Sequence, residues 1–156
     1  MRASARPAAP ALFTDHPFLH GFDPGFLSEI GEGAEDRSWE PGEFLLREGA
    51  EADWFHLLLH GKVALELEAY EKPRLTIQTL GPGDVLGWSW LVPPHHWQLD
   101  ARAVKPTRTL SLRAEVLRRV LERRPADAYR FLLRLLPVIA TRVQNARLQI
   151  LDVHGV

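Results

Sequence analysis

No cysteine occurs in the 156-residue sequence. That excludes a disulfide framework, a thiolate metal site and a cysteine nucleophile. No apolar run of about 18 residues occurs either, so no membrane-spanning helix is expected. The N-terminal stretch MRASARPAAPALF holds no apolar segment long enough for a secretory leader. The chain lacks the Gly-x-Ser-x-Gly nucleophile turn, the phosphate loop ending Gly-Lys-Ser/Thr and the dinucleotide fingerprint. A cytoplasmic protein that is not an enzyme, with no cofactor, is the expectation. What is present suits a globular protein: 46% of residues are apolar and 25% charged. The length suits one domain with a real core.

The net charge of −1 hides an asymmetry. Residues 1–100 carry 7 basic and 16 acidic side chains, whereas residues 101–156 carry 12 basic and 4 acidic. Arg118, Arg119, Arg123, Arg124 and Arg130 form a basic stretch. Two readings are open. The two halves face each other within one fold, or the basic part meets an anionic partner such as nucleic acid.

Residues 1–12 read as a mobile tail, rich in Ala, Pro and Arg without a period. Residues 13–156 read as the folded domain. Asp23-Pro24 is a helix start, Asp as cap and Pro at the first helical position. From Arg37 to Leu112 apolar runs are short, and turn residues recur about every ten positions, from Pro41-Gly42 to Lys105-Pro106. That punctuation argues for antiparallel strands. Val63, Leu65 and Leu67 alternate with Lys62, Ala64, Glu66 and Glu68, giving one buried face. The period then changes. Residues 114–124 read as a short helix ended by Pro125, and 126–151 as a long one that Pro137 should kink or split. The expected fold is mainly β with flanking helices. It is an antiparallel, jelly-roll-like β-roll of about eight strands with N-terminal helical turns and two C-terminal helices.

Along the long helix, Leu132, Leu135, Ile139, Val143, Ala146 and Ile150 follow steps of three and four. Of these, Leu135, Ile139, Val143, Ala146 and Ile150 form a candidate seam for pairing with a second copy of the chain. The other reading is packing on the chain's own roll.

Three segments carry a resemblance. They are Leu45-Leu46-Arg47-Glu48-Gly49-Ala50-Glu51-Ala52-Asp53-Trp54-Phe55, Leu57-Leu58-Leu59-His60-Gly61-Lys62-Val63 and Leu80-Gly81-Pro82-Gly83-Asp84-Val85-Leu86-Gly87. With Ala101-Arg102-Ala103 behind them, their order and spacing resemble the cyclic nucleotide-binding domain. That is the regulatory module of catabolite-activator-like transcription factors, kinase regulatory subunits and gated channels. The resemblance covers nearly the whole chain and implies a sensory β-roll. It also implies a ligand site in the cassette between Leu86 and Ala103.

In that family an Arg near the end of the cassette pairs the nucleotide phosphate, and a Glu directly after the cassette's Gly takes the ribose hydroxyl. Here Gly87 matches the Gly, the Glu position is Trp88, and the Arg position falls on Trp97. An anion that loses such a charge-assisted partner loses about 2–5 kcal/mol, a factor of roughly thirty to several thousand in affinity. Micromolar binding of cAMP or cGMP is therefore not expected. The candidate pocket comprises Leu86, Gly87, Trp88, Ser89, Trp90, Trp97, Gln98 and Leu99. Either the indoles of Trp88, Trp90 and Trp97 fill it, or they line it for an unknown small molecule that is flat, apolar or cationic.

Further candidates are weaker. His56 and His60 are too far apart on a strand to share a metal. His95-His96 sits in a Pro-opened loop and is the alternative site for a metal or haem. The relatives that read DNA do so with a helix-turn-helix after the long helix. With the sequence ending at Val156, direct sequence-specific DNA binding is not expected, nor is a membrane partner.

Overall fold

The computed structural model describes residues 4–68 and 70–153. Helix α1 spans Leu12–Asp15, and a 3-10 turn follows at Pro17–Leu19. Helix α2, Pro24–Ile30, begins as its residue types dictate: the Asp23 carboxylate accepts from the Phe26 N–H at 3.2 Å, and Pro24 takes the first helical position.

Strands follow at Glu35–Trp39 (β2), Phe44–Leu46 (β3), Trp54–His60 (β4), Val63–Leu67 (β5), Leu75–Leu80 (β6), Val85–Leu86 (β7), Asp100–Ala103 (β8) and Thr107–Arg113 (β9). A further strand, β1, occupies Ser4–Pro7. It corrects the reading of a mobile tail over residues 4–12, while residues 1–3 of that expectation lie outside the described residues. β1 pairs antiparallel with β2, and the Arg6 guanidinium donates to the Asp36 carboxylate at 3.0 Å. The described residues thus hold nine strands. The sheets run β1-β2-β9-β4-β7 and β3-β8-β5-β6, with antiparallel neighbours throughout. Gly61, at φ 99°, makes the turn between β4 and β5, where a Cβ would stand 2.5 Å from the Pro106 carbonyl oxygen. Only glycine fits that turn.

The period of two sends alternate residues of β4 to opposite faces. Phe55 turns to the helices and touches Phe18, Trp90 and Phe131. His56 turns the other way and meets Trp39 and Ser111.

Helix α3 spans Ala114–Arg123, and α4 runs as one helix over Pro125–Val153 with Pro137 inside it, so the helix is not split there. Phe131 anchors α4. Its ring is fully buried, with ring centres of Phe18, Phe55 and Trp90 at 5.2, 5.9 and 5.9 Å. Aromatic pairs of this kind add about 0.5–1.5 kcal/mol each beyond the area they bury.

The rotation that buries Phe131 also buries Leu135, at 1% exposure. This corrects the expected seam: Leu135 belongs to the core and cannot face a second chain. Ile139 packs partly against the same core. Val143 is 60% exposed, Ile150 49%, and Ala146 is half-buried. Tyr129, Leu132 and Leu136 are exposed as well. Leu136, Val143 and Ile150 recur every seven residues, with Leu132, Ile139 and Ala146 at the intervening position, a coiled-coil pattern.

The charge asymmetry is met inside the fold. Arg119 pairs with Glu32 at 3.2 Å, Arg123 with Glu29 at 2.9 Å and Arg124 with Asp23 at 3.2 Å. The basic face of α3 lies against the acidic segment around α2.

Candidate functional site

The cassette begins where β7 ends. Gly87 has a φ of 75°, and a Cβ built on it would stand 2.3 Å from Cζ3 of Trp97. The backbone conformation and the neighbour both demand glycine. Trp97 is held there from behind. Its N–H donates to the Ala50 carbonyl at 2.9 Å, its carbonyl accepts from the Gly49 N–H at 2.8 Å, and the His95 carbonyl accepts from the Ala52 N–H at 2.8 Å. The 49–52 turn therefore clamps the returning arm of the cassette. The indole, 5% exposed, lies over Gly87.

The other candidates occupy different surroundings. Trp90 is fully buried in the Phe55–Phe131 cluster, and its carbonyl accepts from Arg118 of α3 at 2.6 Å. Its indole Nε1 has no hydrogen-bond partner. Leu86 is buried in β7, Ser89 is half-buried, and Leu99 packs partly against the core. Gln98 is exposed and donates to the His96 carbonyl at 3.1 Å. Trp88 is half-buried, with the Arg142 guanidinium 5.5 Å above its ring.

Arg142 is the residue that sequence reasoning missed. It brings a guanidinium to the cassette from α4, away from the positions that the family's motif names. It is 5% exposed, and its Nη2 donates to the Val85 carbonyl, while its Nε has no partner. Burial pushes its pKa down to about 10, with Asp84 partly offsetting, so it is charged at neutral pH. A signal existed in the spacing: Arg142 stands seven residues after Leu135 and eleven after Phe131, on the helix face that meets the roll. The cassette is thereby tied to both C-terminal helices, through Arg118 to α3 and through Arg142 and Phe131 to α4. Between α4 and the strand ends lies a cavity of about 230 Å³, lined by Gln78, Leu80, Asp84, Val85, Thr141 and Arg142.

Beside Trp97, β2 and β4 place Arg37, Trp39, Trp54 and His56 on one face, around a second cavity of about 260 Å³. Here the spacing alone was informative, since 37/39 and 54/56 are same-face pairs on strands. His56 is buried, its Nδ1 2.6 Å from the Ser111 hydroxyl, and Trp39 donates to the Thr109 hydroxyl at 3.0 Å. Burial, reinforced by Arg37, pushes the His56 pKa down to about 3, so its imidazole is neutral under ordinary conditions. His95 and His96 lie in the returning arm, where the backbone of His96 pairs with that of Glu51 in an isolated antiparallel bridge. Among the described residues no group of three or more His, Asp or Glu side chains is placed to hold a metal ion. No helix among them is long and apolar enough to cross a membrane.

The family model for the cyclic nucleotide-binding domain matches residues 36–124. Among solved structures, a protein from Geobacter metallireducens GS-15 assigned to the cyclic nucleotide-binding proteins is 26% identical. Their TM-score is 0.76, covering 87% of this chain and 98% of that one. A cyclic nucleotide-binding domain from Methylobacillus flagellatus KT superposes with a TM-score of 0.80 at 22% identity, over 96% of this chain and 88% of that one. The regulatory subunit of a cAMP-independent protein kinase A from Trypanosoma brucei shares the fold with a TM-score of 0.67 at 20% identity. That match covers 92% of this chain and 49% of the subunit. Comparison with curated protein sequences gives no match.

Proposed function

Since this chain belongs to the cyclic nucleotide-binding domain family, we propose that it is a regulatory, non-catalytic domain that does not take cAMP or cGMP with ordinary affinity. One observation carries this reading: the Trp97 ring, at the position of the family's phosphate-pairing Arg, occupies the space over Gly87. A nucleotide would have to displace a clamped, buried indole and would find no cassette arginine in exchange. Arg142 does not replace that arginine, because its Nη2 is spent on the Val85 carbonyl and its face on Trp88. Titration with cAMP or cGMP should give no saturable change in tryptophan fluorescence below about 100 μM, the expectation when the charge-assisted contact is missing. Saturation at low micromolar nucleotide would overturn the reading.

The domain acts through helix α4 as a homodimer in this reading, the exposed stripe of Leu132, Leu136 and Val143 forming the contact. Leu136→Asp or Val143→Asp should reduce the sedimenting mass by half while leaving the fold intact, since both side chains point away from the core. An unchanged mass in both variants would exclude this face. The ion pairs of α3 speak against a nucleic-acid footprint, because Arg119, Arg123 and Arg124 already meet carboxylates.

A further inference from the structure

The arginines of this chain are mostly spoken for. Arg102 grips Glu66 through two hydrogen bonds, Arg108 grips Asp36 in the same way, and Arg118 and Arg134 donate to carbonyls. Among the described residues, the Arg37 and Arg47 guanidiniums, like those of Arg130 and Arg147 on α4, have neither a hydrogen bond nor an ion pair, and of the four only Arg37 and Arg47 line a common cavity. The Arg37 Nε is buried without a partner. Both line the same cavity of about 260 Å³, beside Trp97. Burial lowers the Arg37 pKa, Glu35 only partly offsetting.

Their other contacts are aromatic. The Arg37 guanidinium lies 4.7 Å from the Trp39 ring centre and 5.1 Å from that of Trp54, and Arg47 lies 4.0 Å from Phe44. Such stacking engages the face of a guanidinium and leaves its in-plane N–H donors for a planar oxyanion. Trp39, Trp54 and Trp97 wall the cavity. His56, held neutral, adds no charge. The carboxylates of Glu51 and Asp53 also line it and are exposed. They balance the two arginines and disfavour a multiply charged guest such as a polyphosphate.

We propose that this cavity is a binding site for a small aromatic monocarboxylate, its ring against the indoles and its carboxylate accepting from Arg37 and Arg47. The site goes beyond the reading of the cassette and is separate from it, although Trp97 touches both. Its ring edge lies over Gly87, and the same indole walls this cavity.

Benzoate is the probe, followed by ligand-observed NMR on the full chain, with uncharged benzamide and inorganic phosphate as controls. Saturable benzoate binding is expected, with benzamide and phosphate each weaker by at least about tenfold. Arg37→Gln and the exposed-site variant Arg47→Gln should each weaken benzoate by about tenfold or more, the usual worth of a hydrogen bond to a charged group. The urea midpoint of Arg47→Gln should not move, so its loss of binding cannot be a loss of fold. No saturation by about 10 mM, equal binding of benzoate and benzamide, or two variants that bind as the parent chain does, would each overturn the proposal. Displacement of benzoate by cAMP would place the ligand in the cassette and overturn it too. Direct cAMP binding without displacement would sink only the cassette reading.

Discussion

The double variant Trp88→Glu/Trp97→Arg should bind cAMP saturably in the micromolar range, where the parent chain should not. Removing the Trp97 indole opens the space over Gly87, which is closed by a ring only 2.3 Å from the Cβ position. The new guanidinium would stand in the arm clamped to the 49–52 turn by the Ala50 carbonyl and the Gly49 N–H. Its position is therefore set by backbone rather than by a free side chain. A phosphate paired in this way gains about 2–5 kcal/mol, a factor of roughly thirty to several thousand. The carboxylate introduced at position 88 would lie beneath the Arg142 guanidinium that now covers Trp88, so an ion pair replaces a cation–π contact there. The variant loses stability, because removing a buried aromatic costs about 3–5 kcal/mol. Urea unfolding should show that loss, and saturating cAMP should recover part of it, since a ligand that binds only the folded state stabilises it. If the double variant folds and calorimetry still shows no cAMP binding, the indole over Gly87 is not what excludes the nucleotide.

A second large effect concerns acid. His56 titrates near 6.5 when exposed and near 3 when folded, because burial and Arg37 disfavour its charged form. The unfolded chain therefore takes up a proton that the folded chain refuses. The contribution is fully present above pH 6.5, is lost as the pH falls from there, and is gone below the folded value. The expected slope is about 1.4 kcal/mol per pH unit, or about 2 kcal/mol between pH 6.5 and pH 5. His16 adds to the loss in the same direction, its pKa also lowered by burial, with hydrogen bonding to Asp84 partly offsetting. Asp23 and Asp36, whose pKa values are lowered from 3.8 by the Phe26 N–H and by Arg108 respectively, act only at lower pH. The window from 6.5 to 5 thus isolates the histidines. Urea midpoints of the parent chain and of His56→Gln, taken across that window, check this. The variant should flatten the slope, leaving the part owed to His16. Equal slopes would mean that His56 reaches solvent and takes its proton without unfolding.

Much of the architecture was legible because the signals are local. Turn residues every ten positions and the Asp23-Pro24 cap depend on neighbours a few residues apart, and the structure realises both. The alternation at Val63–Leu67 found the strand but not its single buried face, because Ala64 and Glu66, on the expected outer face, are buried too. The cassette indoles could be counted but not placed. Trp88, Trp90 and Trp97 read as one aromatic cluster, yet they stand in three settings: under Arg142, in the Phe131 core and over Gly87.

By itself, then, the sequence determined the β-roll and the order of its strands and helices. It did so because strand period, turn chemistry and motif spacing are written in short stretches of chain. Only the tertiary structure decided how α4 is rotated. Phe131 seats among Phe18, Phe55 and Trp90, and that one fact buries Leu135, exposes Val143 and brings Arg142 to Trp88. A helical stripe wide enough to serve two faces does not say which residues meet the roll. Contacts between residues far apart in the chain do.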